Sequence, residues 1–140
     1  MHAISTTGAP AALGTYSQGI RYADTLLTAG QIGLDPSTLT LADGVDAQVR
    51  RVFDNLRAIC QAAGSDLDGI VRLGVYLVDA ADWPVVNQVM ADYFKAPFPA
   101  RTAIGVAWLP MGARVEIDAV VMLPAAETTP SPRPAARSGA

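Results

Sequence analysis

Between residues 46 and 63 the apolar side chains fall at Val49, Val52, Phe53, Leu56, Ile59, Cys60 and Ala63. Steps of three and four place them on one stripe of a helix, which Gly64 stops. A second stripe, Val86, Val89, Met90, Tyr93 and Phe94, predicts another helix that closes before Pro97. Asp82 and Pro84 mark its start, aspartate as N-cap and proline in the first turn. Elsewhere the period drops to two. "SQGIRYADTLLTAGQIG" reads as two short strands turning at Ala23-Asp24, followed by the loop "DPSTLTLADG". "IVRLGVYLV" (70–78) and the two halves of "FPARTAIGVAWLPMGARVEIDAVVM" (98–122) supply three more. The order strand, strand, helix, strand, helix, strand, strand predicts an α+β domain with one sheet and both helices on one face.

Alternation assigns faces to the strands. Val71, Leu73, Val75 and Leu77 form an aliphatic row suited to lie beneath helices, as do Val115, Ile117, Ala119 and Val121. The opposite rows hold Ile70, Arg72, Gly74, Tyr76 and Val78, and Arg114, Glu116, Asp118, Val120 and Met122. Such a mixed face is neither core nor plain solvated surface, and predicts contact with another copy of the chain. Arg101 shares its row with Ala103, Gly105 and Ala107, which leaves room beside the guanidinium. Ala29-Gly30 within a strand permits a close backbone approach in the same way.

Composition narrows the possibilities. The chain of 140 residues is one domain's worth, 51% hydrophobic and only 16% charged. Two helices and a few strands can hardly hide that much apolar surface alone, which again points to association. The net charge of −3, with one lysine and nine scattered arginines, gives no basic stripe for phosphates, so neither nucleic acid nor a membrane surface is an expected partner. A single cysteine and a single histidine, His2 in a terminus expected to be mobile, exclude a disulfide framework and a His/Cys metal site. The start has no secretory leader and no apolar run reaches the ~18 residues of a membrane span, so a cytoplasmic protein is expected. "PAAETTPSPRPAARSGA", residues 124–140, has almost no large apolar residue and is read as a disordered tail beyond a single domain of residues 1–123.

Two charges stand out in apolar strands. Arg101 offers a planar fork of donors that matches a carboxylate. Glu116, expected on a neighbouring strand, can hold a water molecule and relay its proton. Together they suit hydrolysis of a small carboxylate-bearing substrate. They equally suit a structural ion pair, Arg101 with Glu116 or Glu116 with Arg72.

"GTYSQG" (14–19), "TAGQIG" (28–33), "FDNLRAICQAAG" (53–64), "VNQVMADYF" (86–94), "FPARTA" (98–103) and "VEIDAVV" (115–121) occur in order and at suitable spacing. With this ordered set the chain, from about Ser5 to Leu123, resembles the RidA (YjgF-type) enamine/imine deaminase family. The resemblance implies a chorismate mutase-like fold, a single mixed sheet with two helices on one face, assembled as a homotrimer with an active site in each cleft between subunits. It implies hydrolysis of 2-aminoacrylate and 2-aminocrotonate, or their imines, to 2-oxo acids and ammonia without a cofactor.

By the same resemblance Arg101 clamps the substrate carboxylate and Glu116 activates the attacking water. Tyr16 borders the cleft, Gly30 turns its backbone N–H to the ligand, and Asn87 lies near the site. Many members carry Cys, Ser or Thr where this chain has Ala103, which removes a side-chain hydrogen bond and bears on substrate preference. Cys60 does not replace it, because its place on the first helical stripe predicts a buried, inert thiol. Two further readings stand beside the general deaminase: a pathway-specific deaminase of aminomuconate or a pyrimidine-derived aminoacrylate, and a non-catalytic trimeric carboxylate binder or holdase. A ribonuclease activity, known among some relatives, is at odds with the acidic charge and absent basic groove.

Overall fold

A computed structural model describes residues 1–125. Its elements are β1 (His2–Ile4), β2 (Gly19–Tyr22), β3 (Thr25–Thr28), β4 (Gln31–Ile32), α1 (Val45–Ala62), β5 (Ile70–Leu77), α2 (Trp83–Tyr93), β6 (Ala100–Gly105) and β7 (Val115–Met122). One sheet runs in the order β1-β2-β3-β7-β5-β6, with β4 also paired to β7. All pairs are antiparallel except β5–β6, which α2 connects as a parallel crossover. Both helices cover one face, as the stripes predict. The predicted tail lies outside the described residues from 126 onward. Among the described residues no helix is long and apolar enough to cross a membrane.

The two stripes meet the aliphatic sheet rows in one core. Phe53, Leu56 and Ile59 of α1 and Val86 and Val89 of α2 are fully buried, as are Leu73, Val75, Val115 and Ile117 beneath them. Phe53 also packs on the rings of Tyr93 and Phe94, with centroids 5.2 and 5.3 Å away. Gly64, at φ 85°, closes α1 as expected. The Ser65 N–H reaches Cys60 O at 2.9 Å and the Gly64 N–H reaches Gln61 O at 3.0 Å, the paired bonds of a Schellman motif.

Four expectations need correction. The N-terminus is ordered as β1 against β2, so His2 belongs to an edge strand. Val71 is 45% exposed, and Ile70 takes its place in the buried row. The cause is a bulge: Ile70 pairs with Val121 but Arg72 with Val120, which leaves Val71 unpaired. Asp82 does stand at the α2 N-cap position, but its carboxylate caps nothing. It is buried and accepts from Nε and Nη2 of the Arg114 guanidinium, at 3.0 and 2.5 Å, which ties α2 to the start of β7. Finally, β7 and β6 are not neighbours, because β5 lies between them.

Candidate active site

Sheet register fixes where the two charges point. Arg101 of β6 pairs with Leu73 of β5, which pairs with Ala119 of β7, and this row faces the helices. Glu116 of β7 pairs with Tyr76 of β5, which pairs with Ile104 of β6, and this row lies on the uncovered face. Partners in register share a side of the sheet. Arg101 and Glu116 of one chain therefore stand on opposite faces. None of the ion pairs among the described residues involves either of them, so the structural pairing does not form.

The guanidinium is held from α2. Its Nη1 donates to Asn87 Oδ1 at 2.8 Å and lies 3.2 Å from Met90 Sδ. Its carbon sits 4.3 Å from the centre of the Trp83 ring, a cation–π stack. The described residues give Nε and Nη2 no acceptor, so half of the fork is open to a carboxylate. Arg101 and Asn87 border a cavity of about 330 Å³ with Phe98 and Pro99. Asn87 thus positions the arginine, a role its place near the start of α2 did not disclose. Ala103 lies exposed on β6 and borders neither this cavity nor the next.

Glu116 lies in a second, larger cavity of about 550 Å³, together with Tyr16 and Gly30. The chain is bulged here: from Leu27 to Gln31 is four residues, against three from Val120 to Ile117 on the partner strand. The bulge brings Ala29-Gly30 beside Glu116, and a Cβ on Gly30 would overlap the Glu116 carboxylate. Burial, with the charge of Asp118 on the same face, raises the Glu116 pKa above the usual carboxylate value. Asp118 itself accepts the Tyr76 hydroxyl at 3.2 Å.

Buried amides fasten the irregular segments around this cavity, and sequence reasoning missed all three. Gln18 accepts from the Thr6 N–H at 2.7 Å and donates to the carbonyls of Thr6, Ala9 and Pro10 at 3.0, 3.2 and 2.7 Å. Asn55 donates to the Ile32 and Leu34 carbonyls at 3.3 and 3.0 Å. Gln48 donates to Ala42 O at 3.1 Å and accepts from the Arg114 N–H at 2.9 Å. A signal existed for two of them. Gln48 and Asn55 fall on the α1 stripe with Val52 and Ile59, polar residues where the period calls for apolar ones. Cys60 is buried, and burial, with Asp66 adding to it, pushes its thiol pKa up to about 12, so it takes no part in the site.

A family model described as Endoribonuclease L-PSP matches residues 6–123. Among curated relatives, the mouse and human proteins named 2-iminobutanoate/2-iminopropanoate deaminase are 44% and 43% identical over 120 residues, covering 85% of this chain and 89% and 88% of theirs. Among solved structures, RidA from the Antarctic bacterium Psychrobacter sp. PAMC 21119 superposes with a TM-score of 0.86 at 43% identity, covering 88% of this chain and all (100%) of that one. Escherichia coli TdcF, solved with bound serine, gives a TM-score of 0.85 at 32% identity, over 89% of this chain and 100% of that one. With the family model spanning nearly the whole described chain, and the two-helix, single-sheet fold common to these structures, the protein belongs to the RidA (YjgF-type) family.

Proposed function

We propose that the protein hydrolyses the enamines 2-aminoacrylate and 2-aminocrotonate, through their imines, to 2-oxo acids and ammonia. The observation that carries the reading is the split between Arg101 and Glu116. Each borders a cavity, neither forms an ion pair among the described residues, and no single chain brings them together. A cyclic homotrimer, in which the helix-side edge of one subunit meets the uncovered sheet face of the next, would complete a site from the two halves. Exposed Tyr22, Leu27 and Ile104 on that uncovered face favour such a contact. The catalytic domain is then residues 1–123.

In this site the open half of the Arg101 fork grips the substrate carboxylate, while Asn87 and Trp83 fix its plane. Water held by Glu116 adds to the imine carbon, and the carboxylate takes its proton. Passing that proton to nitrogen completes the carbinolamine; the carboxylate then carries the hydroxyl proton to nitrogen as well, so the C–N bond breaks, C=O forms and ammonia leaves. One water is consumed and no electrons are exchanged, so the carboxyl group finishes as it began. A pKa raised by burial suits a group that accepts and returns a proton within one turnover. The names of the mouse and human relatives support this substrate class.

The test uses a serine dehydratase to release 2-aminoacrylate in the presence of semicarbazide. The protein should divert the imine to pyruvate before trapping, and Arg101→Ala should abolish the diversion. A trapping curve unchanged by the wild-type protein contradicts the proposal.

A further inference from the structure

Thr28 ends the regular part of β3. Leu26 and Leu27 pair with Val121 and Val120 of β7, and pairing resumes only at Gln31, opposite Ile117. Thr28, Ala29 and Gly30 therefore stand opposite only Ala119 and Asp118, and the ladder is broken between them. A main-chain N–H inside a sheet needs an acceptor. The Ala119 N–H finds one in a side chain, Thr28 Oγ1, at 2.9 Å. The hydroxyl stands in for the carbonyl that a regular ladder would supply. The Ala29 N–H turns the other way and donates to Gln18 O, just before β2, at 2.9 Å.

Beyond the bulge the chain is gripped from another direction. Fully buried Asn55 of α1 donates to the Ile32 and Leu34 carbonyls at 3.3 and 3.0 Å. Residues 29–31 thus hang between a hydroxyl bonded to β7 and an amide on α1. Gly30 lies in the middle, against the Glu116 carboxylate, where a Cβ would overlap Oε1. All these bonds lie within one chain, so they do not depend on what covers the open sheet face. Thr28 itself does not border the Glu116 cavity.

We infer that Thr28 is a positioning residue for the proposed hydrolysis: its hydroxyl pins the bulge to Ala119 and so keeps Gly30 against Glu116. The inference rests on the reading of Glu116 as the hydrolytic carboxylate. Without the hydroxyl, the Ala119 N–H is orphaned inside the sheet, and the ribbon shifts until water or a carbonyl reaches it. Gly30, two residues along, moves with it and lets water onto the carboxylate. The Glu116 pKa, raised first by burial and then by Asp118, should fall back toward 4.5. The other charged or titratable groups near Glu116 are Tyr76 and Arg72 on β5, Tyr16 at the cavity and, in the proposed trimer, Arg101 of the adjoining subunit. Thr28 bonds to none of them, and residues 25–32 carry no titratable group.

The test compares Thr28→Val, which keeps the shape, Thr28→Ser, which keeps the hydroxyl, and Thr28→Ala, which keeps neither. Diversion of 2-aminoacrylate from semicarbazide is measured across pH, with rates taken per folded protein from circular dichroism. The valine and alanine variants should lose kcat by up to roughly a hundredfold, the loss that a ~1 Å misplacement brings. The acid limb of their kcat profiles should move to lower pH, and serine should restore both. A lowered Tm with kcat and acid limb unchanged would overturn the inference, as would serine and alanine variants that behave alike. Should the valine variant not fold, the serine–alanine comparison decides alone. These outcomes leave the deaminase reading intact, whereas a wild-type protein that diverts no imine overturns both.

Discussion

Arg101 and Glu116 point away from each other across one sheet, in rows fixed by the pairs Arg101–Leu73 and Glu116–Tyr76. The geometry separates two jobs. In the proposed reaction, gripping the carboxylate would fall to the edge strand and α2, and steering water to Glu116 of β7 beside the bulge between β3 and β4. Each half can be perturbed without touching the other.

On the first half, Arg101→Lys removes the planar fork, the stack on Trp83 and the bond to Asn87 together. A charge-assisted pair of this kind contributes about 1.5–3 kcal/mol, so kcat/KM should fall roughly ten- to a hundredfold. Asn87→Ala should cause a smaller loss, mainly in KM, because the guanidinium keeps its charge and its stack. Steady-state kinetics with semicarbazide trapping separate the two. A lysine variant as active as the wild type would show that the fork is not used.

Glu116 gives a pH signature. Its folded pKa is raised, so folding favours the protonated form. The stability linked to this group is therefore complete below its ordinary value of 4.5 and is lost as pH rises through the folded pKa. Glu116→Gln, neutral throughout, should raise Tm at neutral pH while nearly abolishing turnover, and the gain in Tm should shrink as pH falls toward 4.5. The acid limb of the wild-type kcat profile should lie above the usual carboxylate range. Thermal unfolding across the same pH range checks the first statement, and a Tm gain independent of pH would refute it.

Gly30→Ala tests the close approach at the bulge. The added methyl overlaps the Glu116 carboxylate, so either the carboxylate turns aside or β4 shifts. Turnover should fall by about the 10²–10⁴-fold that a positioned proton-transfer group contributes, with a lowered Tm. Full activity would mean that the carboxylate does not work from this position.

Both helices, their stripes and the aliphatic rows of β5 and β7 were legible in the sequence, because burial imposes periods on the order of apolar residues. The family motifs likewise pointed to Arg101 and Glu116. Their opposition across the sheet was not legible. Alternation assigns faces within a strand, but relating β6 to β7 requires the β5–β6 register, which depends on how α2 packs in the crossover. Val71 left its row at a bulge that no residue type announces. Asp82 looked like a cap because an N-cap aspartate and a buried ion-pair partner read alike; only the fold brings Arg114 to it.

Cys60 offers a check on core packing. With its thiol pKa near 12 and its side chain buried, it should resist a thiol-reactive disulfide reagent at pH 8 while the protein is folded. Stoichiometric reaction should appear only on unfolding in denaturant. Prompt labelling of the native protein would mean that the α1 face is open.

The most direct test of the central claim, that one chain's arginine works with another chain's glutamate, is complementation in mixed oligomers. Arg101→Ala and Glu116→Ala, each inactive alone, are co-expressed in equal amounts and purified together as the whole mixture. If the site spans two subunits, random mixing in a cyclic trimer restores roughly a quarter of wild-type activity, since one in about four clefts receives both intact residues. Hybrids as inactive as their parents would contradict the account.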